Sequence, residues 1–206
     1  MSWLVRMQLD KTALVQCSFR DSYAWHQALW ECFPGTPDAK RDFLIRMDWL
    51  TWGCRVYLLC LRNPVRPSWC PPDAWAVKSI PSSFLQHESY LFDLIANPTQ
   101  KIRKYTSDGE RCRNGKRIAL VGESPRREWM ISKAEQHGFH LDGNFIVEES
   151  GISCFRRHSC IGTHVGVRFK GRLQVTDRER FIHAFYHGIG TAKGFGFGML
   201  LLQPLW

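Results

Sequence analysis

The stretch DSYAWHQALW places Tyr23 three residues before His26. On a helix that spacing puts both side chains on one face. Trp25, Leu29 and Cys32 then lie on another side and supply the core contact. An imidazole near its ordinary pKa, about 6.5, passes protons in either direction at neutral pH, so this helix can present acid-base chemistry to a ligand. One histidine on a helix is equally an ordinary surface residue, and the helix alone does not separate the two. The chain ends in a second stretch with chemical content, HGIGTAKGFGFGMLLLQPLW. It holds Gly188, Gly190, Gly194, Gly196 and Gly198, with Lys193 among them. A loop of that kind lets another backbone come very close, and Lys193 at its edge suits it to a phosphodiester. Lys193 is followed by Gly194 rather than Ser or Thr, so the phosphate-loop signature is absent. The order helix, glycines, strand also excludes the dinucleotide fingerprint. A helix C-cap at Gly188 and a bulged strand start account for one or two of the glycines only.

The charge distribution points to a polyanion. The 206 residues carry a net charge of +9, and the excess lies in the second half. Residues 1–100 hold 10 Lys+Arg against 9 Asp+Glu, and residues 101–206 hold 18 against 10. From 151 to 176 there is no acidic residue, but there are Arg156, Arg157, Arg168, Lys170 and Arg172. A one-signed stretch attracts nucleic acid. The basic run PTQKIRKYTSDGERCRNGKR adds Lys101, Arg103, Lys104, Arg111, Arg113, Lys116 and Arg117. These seven either track phosphates, contact a neighbouring subunit or stay solvated. His183 and His187 have helical metal-ligand spacing but lack the intervening Glu of the zinc-protease motif and a third ligand. We read them, like His137 and His140, as surface or capping residues, and expect neither metal nor cofactor. Phe195 and Phe197 can stack on a base, though packing of an apolar strand face is the simpler reading.

The elements that must position these residues follow from periodicity and punctuation. Residues 3–9 alternate as a strand. Asp21 or Ser22 caps a helix running to about residue 33, where Pro34-Gly35 stops it. Strands at 43–47 and 56–61 flank a turn at Gly53. Pro64, Pro67, Pro71 and Pro72 make the next stretch irregular, before a short helix and a strand ending near Ile80. The second half repeats the order: a strand at 89–96, a turn-rich loop at 98–117, and a helix from Ser124-Pro125 to Gly138. Strands at 145–155 and 165–175, an Asp177-capped helix and a last strand at 197–202 complete it. Each half reads β-α-β-β-α-β, the ferredoxin-like unit. The fold class expected is therefore α+β, two tandem ferredoxin-like (RRM-like) domains at 1–84 and 85–206. The eight cysteines show no Cys-x-x-Cys pair, so they read as buried free thiols. No stretch approaches the ~20 apolar residues that span a bilayer. The first ten residues are too short and too charged for a signal peptide, and a cytoplasmic protein is expected.

GIGTAKGFGFGMLLLQP resembles the C-terminal glycine-rich motif of the CRISPR-associated repeat-processing endoribonucleases, in particular the E subtype of the Cascade complex. DSYAWHQALWECFPG, YLFDLIANPTQKI followed by GKRIAL, and VRFKGRLQVTDRERF agree in order and spacing, so the resemblance covers nearly the whole chain. Gly194 stands where the family usually has Ala, and Met199 where it has Leu. The resemblance implies a metal-independent RNase of the RAMP superfamily that cuts CRISPR precursor RNA at the 3′ base of each repeat hairpin. It would then stay bound to the product beside other Cascade subunits, and would be monomeric when isolated. It implies that His26 is the catalytic general acid or base and that Tyr23 orients the scissile nucleotide or shares proton transfer. Cleavage by the RNA's own 2′-hydroxyl, giving a 2′,3′-cyclic phosphate, suits those residue types. The developing phosphorane charge needs a cation, and Lys193 is the candidate. Arg156, Arg157, Arg168 and Lys170 would meet the stem, and Gly188, Gly190, Gly194 and Gly196 the RNA backbone. The alternative is a scaffold that holds a stem-loop without cutting it, for which His26 has no use.

Overall fold

A computed structural model describes residues 1–19, 21–35, 40–103, 115–157 and 160–206, with the backbone alone at 116, 155–157, 160 and 161. The first half forms a four-stranded antiparallel sheet from β1 (Ser2–Asp10), β2 (Phe43–Leu50), β3 (Gly53–Cys60) and β4 (Trp75–Ile80), in the order β2-β3-β1-β4. Helices α1 (Lys11–Cys17) and α2 (Ser22–Leu29) fall between β1 and β2. Helix α1 was not expected. Its signal is Asp10, whose carboxylate accepts from the Ala13 amide at 2.7 Å and caps the helix. The short helix expected before β4 is only a 3-10 turn, Pro72–Ala74, because the four prolines that precede or open it cannot carry an α-helical ladder.

Period-two alternation divides the residues of this sheet between two cores. Val5, Met7, Phe43, Ile45, Val56 and Leu58 pack under α2 with Trp25 and Leu29. Leu44 and Leu59 face the other way and join the core of the second half, against which Leu4 and Tyr57 also pack. The boundary at 84/85 falls within a 3-10 turn, Ser82–Leu85, and Leu85 is buried in that shared core.

The second half contains β5 (Ser89–Ala96), β6 (Thr99–Ile102), β7 (Lys116–Ala119), α3 (Glu123–Gln136), β8 (Phe139–Leu141), β9 (Ile146–Arg157), β10 (Cys160–Val175), α4 (Arg178–His187) and β11 (Leu200–Pro204). Its sheet runs β11-β5-β10, and β8 and β9 both pair with β10 at successive registers. Counting β8 and β9 as one broken strand, both halves have the same strand order. Two tandem ferredoxin-like units are therefore present. Residues 98–117 are more ordered at their ends than a loop, since β6 and β7 pair from Thr99↔Ala119 to Ile102↔Lys116. Lys104, Arg111 and Arg113 lie outside the described residues. The last strand starts at Leu200 rather than 197 because Gly196 and Gly198 hold φ of +93° and +89°, outside the β region.

Among the described cysteines, Cys32, Cys54, Cys60 and Cys70 are buried thiols, and burial pushes the first three up to about 12. Cys154 is exposed, contrary to the expectation of burial. No helix of the described residues is long and apolar enough to cross a membrane.

Candidate active site

Helix α2 is fixed at its start by Asp21, whose carboxylate accepts from the amides of Tyr23 at 3.0 Å and Ala24 at 2.9 Å. Its inner face seats Trp25 edge-on to Phe19 and Trp69. That packing turns Tyr23 outward, 40% exposed, and leaves His26 half-buried one turn later. The His26 ring lies 6.0 Å from Phe43 and 6.3 Å from Trp30, and its Nδ1 has neither solvent nor a hydrogen-bond partner among the described residues. Among the described residues no carboxylate orients it, and aromatic packing sets its angle.

The glycine-rich segment closes over this histidine. It folds as a tight loop after α4, with a 3-10 turn at Lys193–Phe195. The Ile189 amide donates to Gly198 O at 2.9 Å, and the Gly198 amide donates to Ile95 O at 2.7 Å. Thr191 Oγ1 donates to the carbonyl of buried Asn97 at 3.3 Å. The ANPT stretch thus anchors the loop from the neighbouring strand. Gly194 is the point of contact: a methyl group there would stand 3.8 Å from His26 Nδ1 and Cε1 and 3.8 Å from Arg41 Nε. Arg41 was not among the expected site residues. It is half-buried, and its Nη1 donates to Phe43 O at 2.7 Å, which aims the guanidinium along the start of β2. Burial, and after it the charge of Arg41, push the His26 pKa below its ordinary value. Lys193 is pushed down by burial and by the charges of Arg41 and Lys133. A neutral imidazole and the Arg41 guanidinium therefore meet at Gly194, with Lys193 near enough to Arg41 for their charges to interact.

The glycines differ in what they require. Gly188, Gly190, Gly196 and Gly198 have positive φ, which accounts for their type without a ligand. Gly188 and Gly196 are buried, so only the part of the loop from Gly190 to Phe195 is open to one. Replacing Gly198 puts a methyl 2.6 Å from Ile189 O at φ +89°. Gly198→Ala is expected to lower stability by at least about 1–2 kcal/mol in urea unfolding, whereas Gly194→Ala stays within about 0.5 kcal/mol. Equal losses from the two would refute this account of the loop.

The basic residues expected to meet RNA are not equivalent. Arg168 is held by Asp93 through two bonds, Nε to Oδ1 at 2.9 Å and Nη2 to Oδ2 at 2.5 Å. The same carboxylate takes Nη2 of Arg46 at 3.0 Å, and Arg46 is 1% exposed. Arg168 therefore belongs to a clasp between the two units, so any phosphate it met would compete with Asp93. Among the described residues Lys170 makes a single surface pair, with Glu148 at 2.9 Å, easily exchanged for a phosphate. Arg156 and Arg157 sit at the tip of the β9–β10 hairpin, beyond which their side chains are not described. His183 and His187 stack on each other at 4.1 Å on the exposed side of α4, and no group of three potential metal ligands occurs among the described residues.

A family model described as CRISPR associated protein matches residues 2–204. The CRISPR system Cascade subunit CasE of Escherichia coli K12 is 31% identical over 97% of this chain and 100% of its own length. The CRISPR-associated endoribonuclease Cse3 of Thermus thermophilus is 22% identical over 98% of this chain and 100% of its own. The crystal structure of the CRISPR-associated protein Cas6e from E. coli K-12 superimposes with a TM-score of 0.74 at 25% identity, covering 100% of both chains.

Proposed function

The chain belongs to the CRISPR-associated protein family, and we propose that it is the endoribonuclease of a Cascade complex that cuts CRISPR precursor RNA at the 3′ base of the repeat hairpin. It keeps the product and works beside the other Cascade subunits. The observation that carries this reading at the level of residues is the seating of His26 against Gly194, with Arg41 and Lys193 beside it.

In this mechanism the 2′-hydroxyl of the scissile nucleotide attacks the adjacent phosphorus, the bond to the 5′-oxygen breaks, and a 2′,3′-cyclic phosphate and a 5′-hydroxyl result. His26, held neutral at pH 7 by burial and by Arg41, takes the proton from the 2′-hydroxyl and later gives it up to solvent, while the leaving 5′-oxygen takes a proton from water. Tyr23, exposed on the same helix face, orients the nucleotide. Arg41 and Lys193 offset the charge that builds on the phosphorane, and do so strongly because the cleft is half-buried. Side chains supply both the base and the cations, so the reaction as proposed needs no metal. Lys170, with Arg156 and Arg157 on the β9–β10 hairpin, grips the stem by its phosphates and shape.

The test is single-turnover cleavage of a repeat hairpin in EDTA, beside a hairpin with a 2′-deoxy at the scissile nucleotide. Cutting is expected to persist in EDTA and to leave a cyclic phosphate. The 2′-deoxy RNA is expected to bind without being cut. Cleavage of that RNA would overturn the 2′-hydroxyl mechanism, and loss of cutting in EDTA would overturn metal independence. Binding with no cutting of either RNA would leave the scaffold reading.

A further inference from the structure

Between β7, α3 and the 190–193 part of the loop lies a cavity of about 460 Å³ that does not include His26 or Arg41. Three cations line it from three separate elements: Arg117 from β7, Lys133 from α3 and Lys193 from the loop. Among the described residues the lining contains no carboxylate. None of the three makes an ion pair with a described residue. The Lys133 ammonium donates to the neutral Gln136 Oε1 at 2.7 Å. Trp129 forms an apolar wall, pressed so close to Gly190 that a methyl there would stand 3.2 Å from the indole. His137, also in the lining, is pushed down to about 4 by burial and by Lys133, Lys193 and His183, so it adds no charge at neutral pH. Like charges gathered in a half-enclosed space repel one another, and an anion that enters relieves the repulsion.

The position of the cavity says which anion. The β9–β10 hairpin packs beside α2, so a stem gripped there ends at His26. The strand that crosses the scissile site at Gly194 next meets the adjacent Lys193, which lines the cavity and feels the charge of Arg41. We infer that this cavity is a second RNA subsite, which receives the single-stranded nucleotides immediately 3′ of the cut and pairs their phosphates with Lys193, Lys133 and Arg117. The inference rests on the endoribonuclease reading. Its consequence is that substrate binds tighter than product, and that the 3′ fragment is released once the bond holding it to the gripped stem is broken.

The experiment compares two RNAs at several salt concentrations. One is the repeat hairpin ending at the cut. The other carries a short single-stranded 3′ tail beyond a 2′-deoxy scissile nucleotide, so it stays whole. The protein is the full chain, either wild type or with Lys133→Ala and Arg117→Ala together. Alanine suits the helix at 133, and matching melting curves check the fold. The double variant is expected to bind the tailed RNA several-fold more weakly, with a slope of log K on log salt shallower by about 1.4, two single-strand phosphates at ~0.7 each. Its affinity for the tailless hairpin is expected to be unchanged. An equal loss on both RNAs, or no loss on either, overturns the subsite. A wild-type chain that binds neither RNA would overturn the nuclease reading instead.

Discussion

His26→Ala is expected to slow single-turnover cleavage of the repeat hairpin by about 10²–10⁴-fold, the range for loss of a general acid or base, while hairpin affinity stays near that of the wild type. The separation follows from geometry. His26 sits against Gly194, whereas the charges proposed to grip the stem lie on β9 and β10. The ring has no hydrogen-bonded orienter among the described residues, so its removal leaves no buried partner unpaired and the fold intact. The same site makes a pH prediction. A base works only when deprotonated, so the rate is expected to rise with pH through the depressed His26 pKa and to be level by neutrality. Arg41→Ala removes the second cause of that depression and leaves the first, burial. The rising limb should then move towards higher pH, and the plateau should fall because a cation facing the phosphorane is lost. Unchanged cleavage by His26→Ala would remove His26 from the mechanism. An unmoved limb in Arg41→Ala would remove Arg41 from the site.

The second large effect concerns stability. Arg46, on the face of β2 turned to the second unit, is 1% exposed and donates to Asp93 through Nη2 and to the Asp93 carbonyl through Nη1 at 2.9 Å. Arg168 completes the clasp from β10. Breaking a buried pair from one side typically costs about 3–5 kcal/mol, because the remaining charge is stranded. Asp93→Ala is expected at the lower end of that range, since Asp48 still accepts from Arg46 Nε at 2.8 Å. Burial pushes the Asp93 carboxyl up, but the hydrogen bonds and charges of Arg168 and Arg46 outweigh it and hold the group below its ordinary value. A carboxylate depressed in the folded state stabilises fully above its unfolded pKa, about 3.9, and that contribution is lost as pH falls through the folded value. Urea unfolding of wild type and Asp93→Ala should therefore differ most near neutrality and converge in acid. A difference below about 1 kcal/mol at neutral pH would mean that the clasp is incidental.

Local signals are what the sequence determined. Asp21 before an apolar helical pattern, alternation in β1 and β3, Asp177 before Phe181 and the glycine cluster act within a few residues, and each is legible because its cause is local. The cap on α1 is as local a signal as that on α2, since Asp10 stands directly before the helix. The Tyr23–His26 face also came from spacing, because one turn of helix fixes which side chains share a side. Tertiary structure decided the rest. Arg41 comes beside the proposed catalytic histidine only because β2 enters beneath α2. Lys193 does so only because Gly194 lies against His26, far away in the chain. Arg168 has a carboxylate partner because β5 brings Asp93 to it across 75 residues. Whether a charge is free, paired or buried is set by whichever partner the fold brings within a few ångströms. Electrostatic energy depends on that distance and on the water excluded with it, and neither is written in the order of the residues.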